Sequence, residues 1–334
     1  MERDEIIIRN AVLHILDTFV GMPVLSDTCL ELTEDLNDFL RGHIYKIISG
    51  DELKNCSFSS EESEVYNMLK DFSEDKLLDK SRDISSYLFT IMQQNPDIPP
   101  ADFFMVTYQL NSRMYLAMLK MNYKEFYVHY TNSTENRNIN ELVRQTAALP
   151  TSKLSEAAFI SLDDFSVTLV ERKYAVNDVK TNYFSEMFLK CHTALSQKSK
   201  LDIVAKAVEQ ITKKYYDDSF DKKMESKCVI FNDIEEQGSL IPESIGDKLF
   251  GDVPEIKEEF TEKLEKYNIA TAEVKPQNRQ TTKKFEKQFL TTDTGIEINI
   301  PMEEYNSGEN IEFITNPDGT ISVLIKNINK LTSK

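Results

Sequence analysis

The chain has 334 residues, of which 40% are hydrophobic and 28% charged, and its formal net charge is -17. This composition excludes a wholly disordered protein, and the length predicts two domains, or one large domain with an appendage. No apolar run approaches the roughly 18 residues of a membrane span, and the first residues, Met1 to Glu5, lack the basic start and apolar centre expected of a signal peptide. We therefore expect a cytoplasmic protein. Its four cysteines form no C-x-x-C pair, so we also expect reduced thiols.

The first elements predicted are two extended segments, residues 6–17 and 23–32, joined around Gly21. Aliphatic residues at both parities of the first segment indicate a strand that is buried on two faces. His14 stands inside this strand, and a lone histidine there is predicted to be a hydrogen-bonded core residue.

Three helices are predicted after these segments. Thr33 is placed to cap the first helix, and Ser59 with Glu62 has the spacing of a capping box for the second. Asn95 and Pro96 end the third helix, because proline disfavours helical geometry in the residue before it.

The pattern then returns to strands, at residues 103–110, 114–121 and 126–130. Short polar joins at 111–113 and 122–124 are typical of antiparallel hairpins, and a polar loop is predicted at 131–140. Further strands are predicted at 157–162 and 167–173. Together with the opening segments, these pieces predict one mixed sheet.

Two helical patterns follow the sheet. The first places an apolar face along residues 183–191, from Tyr183 to Cys191. The second has a stripe composed of Leu201, Val204, Val208, Ile211 and Tyr215. Such a stripe is typical of a helix packed on a core, although it could alternatively be the seam of a homodimer.

The remainder of the chain is predicted to contain short helices in the acidic segment 217–265, including one that starts at Pro254. A basic linker or loop is predicted at 275–284. Ile311 and Phe313 should pair with the strand that contains Val323. The predicted fold class is α+β, with a mixed domain at 1–173, a helical region at 174–270, and a basic linker with a small antiparallel β element at 271–334.

The sequence carries few signs of common catalytic chemistry. No glycine lies between Gly50 and Gly238, which removes a glycine-rich phosphate loop from that stretch, and neither H-E-x-x-H nor G-x-S-x-G occurs. Asp164, Glu171 and Lys173 resemble a nuclease arrangement that holds Mg²⁺ and orients the attacking water, but three such residues arise readily in a highly charged chain. We therefore predict no catalytic residue, no metal and no cofactor, and keep the nuclease as a minor alternative.

Basic residues are concentrated in two places. Residues 171–216 contain nine Lys or Arg against five Asp or Glu, and a second basic group spans 275–287. Lysines opposite an apolar stripe usually form a solvated face, but they could also contact phosphates. The candidate DNA contacts are Arg172, Lys173, Lys198, Lys200, Lys206, Lys213, Lys214, Lys275, Arg279, Lys283, Lys284 and Lys287.

An ordered set of segments gives the chain a family resemblance. The segments are AVLHILD at 11–17, VLSD at 24–27, FSSEESE at 58–64, the aromatic strands at 102–119, and Leu162-Asp163 leading to the helix of Tyr183 and Phe184. In order and spacing, from about residue 5 to 325, the chain resembles the bacterial 37-kilodalton nucleoid-associated protein family. The resemblance implies a cytoplasmic, DNA-associated protein without established catalysis.

We therefore expect non-catalytic, sequence-tolerant association with double-stranded DNA in the nucleoid, by a protein that could be a homodimer. Binding should be weak and steeply dependent on salt, because a local basic patch must outweigh the acidity of the whole chain. The alternative is an acidic protein-interaction module that reaches DNA through a DNA-processing partner.

Overall fold

The computed structural model describes residues 1–134, 137–148, 154–217, 219–330 and 332. Contacts divide the chain into two compact units, Met1–Ser196 and Gln197–Lys334. Antiparallel strands and helices occur in both units, so the predicted α+β class is confirmed. The boundaries expected near residues 173 and 270 stay predictions about separate domains.

The first unit is organised around one antiparallel sheet of eight strands. The strands of this unit are β1 (Ile7–Leu16), β2 (Lys54–Phe58), β3 (Ala101–Leu110), β4 (Arg113–Thr134), β5 (Arg137–Ala148), β6 (Glu156–Ser161), β7 (Val167–Val170), β8 (Tyr174–Val176), β9 (Val179–Thr181) and β10 (Cys191–Thr193). Their order is β1-β3-β4-β6-β7-β2-β10, with β5 paired to β4, while β8 and β9 form a separate hairpin. All described pairings are antiparallel, so the expectation of a mixed sheet is wrong, although the α+β class holds.

Helices cover both faces of this sheet. They are α1 (Glu34–Ile48), α2 (Glu64–Leu69), α3 (Leu77–Gln94) and a π-helical segment (Phe184–Leu189). One core contains α1 and Ala11 of β1, and the other contains α2, α3, the π-helical segment and Val12. Because successive residues of β1 enter opposite cores, the prediction of a strand buried on two faces is confirmed.

The helix caps were predicted with mixed success. Thr33 accepts a hydrogen bond from the Leu36 amide at 3.3 Å, as expected. The cap predicted at Ser59 is wrong, because Ser59 and Glu62 lie in the turn after β2 and α2 begins only at Glu64. Ser63 caps α2, since its Oγ accepts from the Tyr66 amide at 3.1 Å and donates to the Leu189 carbonyl at 2.7 Å.

The second predicted strand join, at residues 122–124, is also wrong. The hairpin between β3 and β4 turns at Asn111 and Ser112, but β4 continues through residue 122 as one strand. Beyond that point the described partner of β4 is β5, so most of the predicted loop at 131–140 belongs to two paired strands. We call residues 123–134 and 137–148 the ribbon.

Two further predictions for the first unit need correction. Residues 23–32 form no strand ladder, and only Val24 makes a bridge, to Ile15. The helical face predicted at 183–191 ends early, because Lys190 adopts left-handed geometry with φ of 47° and Cys191 enters β10.

The second unit is mainly helical and has two small hairpins. Its elements are α4 (Gln197–Tyr215), α5 (Phe220–Gln237), α6 (Pro242–Phe250), α7 (Pro254–Glu265), α8 (Arg279–Glu286), β11 (Lys287–Thr291), β12 (Glu297–Pro301), α9 (Met302–Ser307), β13 (Ile311–Thr315) and β14 (Ile321–Ile325). Pro254 begins α7, and Phe313 pairs with Val323, as predicted. The expectation of short helices fails for α5, which has 18 residues. The predicted linker at 275–284 instead contains most of α8.

Candidate nucleic-acid interface

Helix α4 forms one side of the candidate interface. Leu201, Val204, Val208 and Ile211 recur at helical spacing and are buried, and the helix packs against α5 and α7. This stripe is covered by its own chain, so the alternative that it forms a dimer seam is wrong. Tyr215 departs from the stripe, because 42% of it is exposed.

The lysines of α4 differ in their partners. Lys214 makes an ion pair of 2.6 Å with Glu259 of α7, and this hydrogen bond raises the pKa of the lysine. Its ammonium also lies 4.7 Å from the centre of the Tyr215 ring. Lys206 and Lys213 are exposed and have no partner among the residues that the structure describes. These two lysines therefore offer uncompensated charge, whereas Lys214 does not.

The second basic group lies on α8 and beside it. The Asn278 side chain caps this helix by accepting from the Gln280 amide at 2.9 Å, and Phe285 anchors it in the core. Arg279 is paired with Glu286 at 2.9 Å, and Lys284 is paired with Asp202 of α4. The pairing of Lys284 brings the second basic group against the first.

A groove lies where α4, α5 and α8 meet, and we call it the lysine groove. Its volume is about 670 Å³. Four lysines line it: Lys206 from α4, Lys223 and Lys227 from α5, and Lys284 from α8. Asp202 and Glu209 also line it, so the lysines outnumber the carboxylates by two. The structure thus unites one predicted residue from each basic group.

The floor of the lysine groove combines apolar side chains with two hydroxyls. Val208, Ile230 and Phe285 supply apolar surface. Thr212 of α4 and Ser226 of α5 are 1% and 5% exposed, and neither hydroxyl has a hydrogen-bond partner in the described part of the chain. Ser85, Thr107 and Ser161 also have buried hydroxyls without a partner in the described ranges, so this feature does not distinguish the groove.

Sequence reasoning missed Lys223 and Lys227, because both lie in a segment that is acidic on average. Their spacing of four residues, continued by Ser226 and Ile230, places them on one face of α5 and was the available signal. Burial lowers the pKa of Lys227. Its ammonium donates to the Lys287 carbonyl at 2.6 Å, which ties α5 to the start of β11.

Arg172 and Lys173 lie in the first unit, between β7 and β8, whereas the other ten predicted contacts lie in the second unit. The Arg172 guanidinium lies 5.9 Å from the centre of the Tyr174 ring. Lys173 is exposed. The structure therefore does not place these two residues in the lysine groove.

The carboxylates of the nuclease alternative have other roles. Glu171 is buried and forms an ion pair of 2.8 Å with Lys54. It also accepts from the amide and the hydroxyl of Ser185 at 3.0 Å, and so holds the start of the π-helical segment. Asp164 is exposed in a turn, where hydrogen bonds from Ser166 lower its pKa to about 2. No cluster of three or more metal-ligating His, Cys, Asp or Glu side chains is found among the described residues.

A buried polar network joins β4 to β6 in the first unit. Lys120 and Glu156 are fully buried and lie 3.3 Å apart, and Asn122 donates to the same carboxylate at 2.7 Å. Tyr174 and Tyr183 donate to Glu156 as well. Lys120 also donates to Asn122 and to the Pro99 carbonyl, so these groups satisfy one another and the network is a structural tie.

The fold and the groove define an α+β protein with a local cationic surface in its helical unit. No helix in the described ranges is long and apolar enough to span a membrane. The chain belongs to the family of the nucleoid-associated protein YejK, whose family model matches residues 12–332. The resemblance expected from the sequence is thereby confirmed. Among curated proteins, no sequence matches the chain.

Proposed function

We propose that this nucleoid-associated protein binds double-stranded DNA directly and without catalysis, through sequence-tolerant phosphate contacts. The lysine groove carries the proposal, because it gathers lysines from three helices onto one surface. Lysine ammoniums act as point charges toward phosphates, and such contacts hold DNA without reading its bases. Family membership supports the nucleoid association.

The acidity of the whole chain is compatible with this proposal. At physiological salt, charges separated by more than about 8 Å of water are largely screened. A lysine of the groove, such as Lys206, lies at contact distance from a phosphate bound there, and its attraction for that phosphate is not screened. Affinity should therefore be modest and should fall steeply as salt is added.

The twelve predicted contacts are not equivalent within this proposal. Lys206, Lys213 and Lys283 are exposed and have no ion pair in the described ranges, so they should contribute most per residue. Lys214, Arg279 and Lys284 are paired with Glu259, Glu286 and Asp202. Each pairing would have to break before the cation could serve a phosphate, which reduces its contribution.

Two lysines on α4 provide a matched test. We expect Lys206→Gln to lower the slope of log affinity against log salt by about one, the value for one lost phosphate contact. Lys214→Gln should leave this slope unchanged, because Glu259 already compensates that lysine. Fluorescence polarisation with a duplex oligonucleotide across a salt series measures both slopes.

Circular dichroism of both variants controls for folding. Equal slopes for the wild-type protein and Lys206→Gln would remove the lysine groove from the DNA interface. Repeating the series with and without Mg²⁺ also reports any cleavage of the oligonucleotide, which would revive the nuclease alternative.

The second candidate function is recruitment to DNA through a basic, DNA-processing protein. The observation in its favour is a shallow depression on α7, where four carboxylates outnumber two lysines; its lining is Glu255, Glu258, Glu259, Glu262, Lys263 and Lys266. A surface of this kind suits a cationic partner. Failure of the purified protein to bind duplex DNA at low salt would favour this candidate over direct binding.

A further inference from the structure

Two exposed apolar features leave the same end of the large sheet. Leu16, the last residue of β1, pairs with Ala101 of β3, and Ala101 pairs with Asn122 of β4, so the three residues form one row across the sheet. Beyond this row, the chain after β1 forms a loop at 18–23, which we call the apical loop, and β4 continues into the ribbon. The apical loop and the ribbon therefore begin side by side.

The electrostatics of Tyr123 show how close the two features are at their bases. Tyr123 is the first residue of the ribbon, and its hydroxyl donates to the Asp102 carboxylate at 2.8 Å. Burial, this hydrogen bond and the charges of Asp102 and Asp17 raise the pKa of Tyr123. Asp17 immediately precedes the apical loop, so its charge acts across the gap between the loop and the ribbon.

The apical loop holds apolar side chains at the surface. Its ends are joined by two backbone hydrogen bonds between Ile15 and Val24, at 3.0 and 2.9 Å. Residues 18–24 contain no charged side chain. Phe19 is nevertheless 87% exposed and Met22 73%. Exposed apolar surface of this kind marks an interaction site when it forms part of a larger patch.

One face of the ribbon extends this patch. Because side chains alternate along paired strands, Phe126, Val128 and Tyr130 of β4 lie on the same face as Ile139 and Val143 of β5. We call this the ribbon face. Tyr130, Ile139 and Val143 are each more than a third exposed. A two-stranded hairpin alone is only marginally stable in water, so packing of this face against another surface would stabilise the ribbon.

Charge favours a second copy of the chain as that other surface. Each copy carries a net charge of -17, and like charges that face each other across an interface are strongly unfavourable. Two copies can therefore meet closely only where carboxylates are few. The apical loop is uncharged, and the described side chains of the ribbon face include one cation, Lys124, and one carboxylate, Glu141.

The exposed apolar area is also of the size that a dimer requires. At about 150–250 Å² for a complete large side chain, the exposed parts of the apolar residues at 18–24 and on the ribbon face amount to roughly 700 Å² per copy. A specific protein–protein interface of standard size buries about 800 Å² on each partner. The two features together thus supply most of one such interface, whereas neither does so alone.

From these features we propose that two copies of this chain form a twofold dimer in which the apical loop of each copy packs on the ribbon face of the other. A closed twofold dimer uses the same surface of both copies, which suits two apolar features that lie side by side. Phe19 and Met22 of one copy contact Tyr130 and Val143 of its partner. The outer backbone edges of β4 and β5 take no part in this contact. The dimer does not rest on the proposed DNA binding, because the lysine groove lies in the second unit.

Sedimentation equilibrium of the full chain across a concentration series tests the proposal. We expect the wild-type protein to have twice the mass of one 38.6 kDa chain. Phe19→Ser with Met22→Ser, the loop variant, and Tyr130→Ser, the ribbon variant, should each raise the dissociation constant of the dimer by about tenfold or more. Leu142→Thr is the matched control, because Leu142 is 69% exposed on the opposite face of the ribbon, and it should retain the wild-type constant.

An equal mixture of the loop variant and the ribbon variant tests which surfaces meet. A mixed dimer keeps one intact contact between loop and ribbon, whereas a dimer of either variant alone keeps none. The mixture should therefore associate more tightly than either variant. Absence of this rescue would overturn the arrangement, because loops would then pack on loops and ribbons on ribbons.

Two further results would overturn the inference. One is a wild-type protein that stays monomeric at the highest concentration, which would leave the surface to a different protein. The other is a dimer that the loop variant does not weaken. Circular dichroism checks that each variant is folded. If the ribbon variant fails to fold, the loop variant still decides, because both of its substituted side chains are exposed.

Discussion

His14 shows how a single buried side chain makes stability depend on pH. Its Nδ1 accepts from the Ser26 amide at 3.1 Å, so Nε2 carries the proton and donates to Ser81 Oγ at 2.8 Å. Ser81 in turn donates to the Leu78 carbonyl. Burial, aided by the charge of Arg82, lowers the pKa of His14 to about 4, and the ring stays neutral at physiological pH.

Acid should therefore destabilise the protein before most carboxylates titrate. The unfolded chain takes up a proton on this histidine near pH 6.5, whereas the folded chain does so only near pH 4. Stability conferred by the neutral ring is complete above pH 6.5 and is lost as the pH falls toward 4. Between pH 7.5 and 5 the loss should reach about 2 kcal/mol.

Urea unfolding of the wild-type protein and of His14→Asn at these two pH values measures this effect. The stability difference between the two proteins should shrink at pH 5, because the variant has no ring to protonate. His129→Asn, at an exposed position in the ribbon, is the control and should retain the wild-type dependence. A pH dependence unchanged in His14→Asn would contradict the assignment.

For single residues, the sequence predicted the roles that depend on neighbouring positions along the chain. The placement of His14 in an apolar strand was enough to predict a hydrogen-bonded core residue. Glu171 could not be interpreted in this way, because its partner Lys54 lies 117 residues away along the chain. An alternating pattern of charges on a strand is the same whether the carboxylate binds a metal or a distant lysine.

At the scale of single elements, two serines near the start of α2 should differ in how much their hydroxyls stabilise the fold. Ser63 is fully buried and uses its hydroxyl both to cap α2 and to bond the Leu189 carbonyl. Ser59 is more exposed, and its hydroxyl lies 3.2 Å from His192. We expect Ser63→Ala to lower the free energy of unfolding by about 1–2 kcal/mol, the usual cost of a lost cap.

Ser59→Ala should cost less than about 0.5 kcal/mol, because surface substitutions are usually small in effect. Chemical denaturation with both variants gives the two values on one scale. Similar losses for the two serines would mean that the cap assignment is wrong.

The elements that sequence failed to predict share a physical cause. Residues 122–124 look like a turn because they are polar, yet Asn122 is paired with Glu156 inside the sheet, and the strand continues. Helix α8 has too few apolar residues to show periodicity, and it is held by Phe285 and by the pairing of Lys284 with Asp202. Tertiary partners, which a local pattern does not contain, decided both cases.

At the scale of the whole molecule, the α+β class followed from the succession of strand and helix patterns. The order of strands did not, since β2 lies between β7 and β10, which come more than 100 residues later. The lysine groove was predicted only in part, because it too is formed by segments that lie far apart along the chain. Its α4 and α8 lysines belong to segments that are basic on average, but α5 reaches the groove from an acidic segment.

The ribbon has a consequence for the exchange of backbone protons with solvent. Strand β6 has a neighbour on each side, whereas β4 is the only strand paired with β5 among the described residues. In an antiparallel pair, successive amides of a strand point to opposite sides, so every second amide of β5 lacks a strand acceptor. Those amides should exchange with deuterium much faster than the amides of β6, which open only with the core.

Hydrogen exchange followed by NMR would resolve this alternation residue by residue. The alternating fast and slow amides along β5 would identify it as an unprotected edge, and uniform protection would show that its outer side is covered. Amide exchange would then differ along β4. The amides between β3 and β6 would exchange slowly, and those in the ribbon would exchange fast.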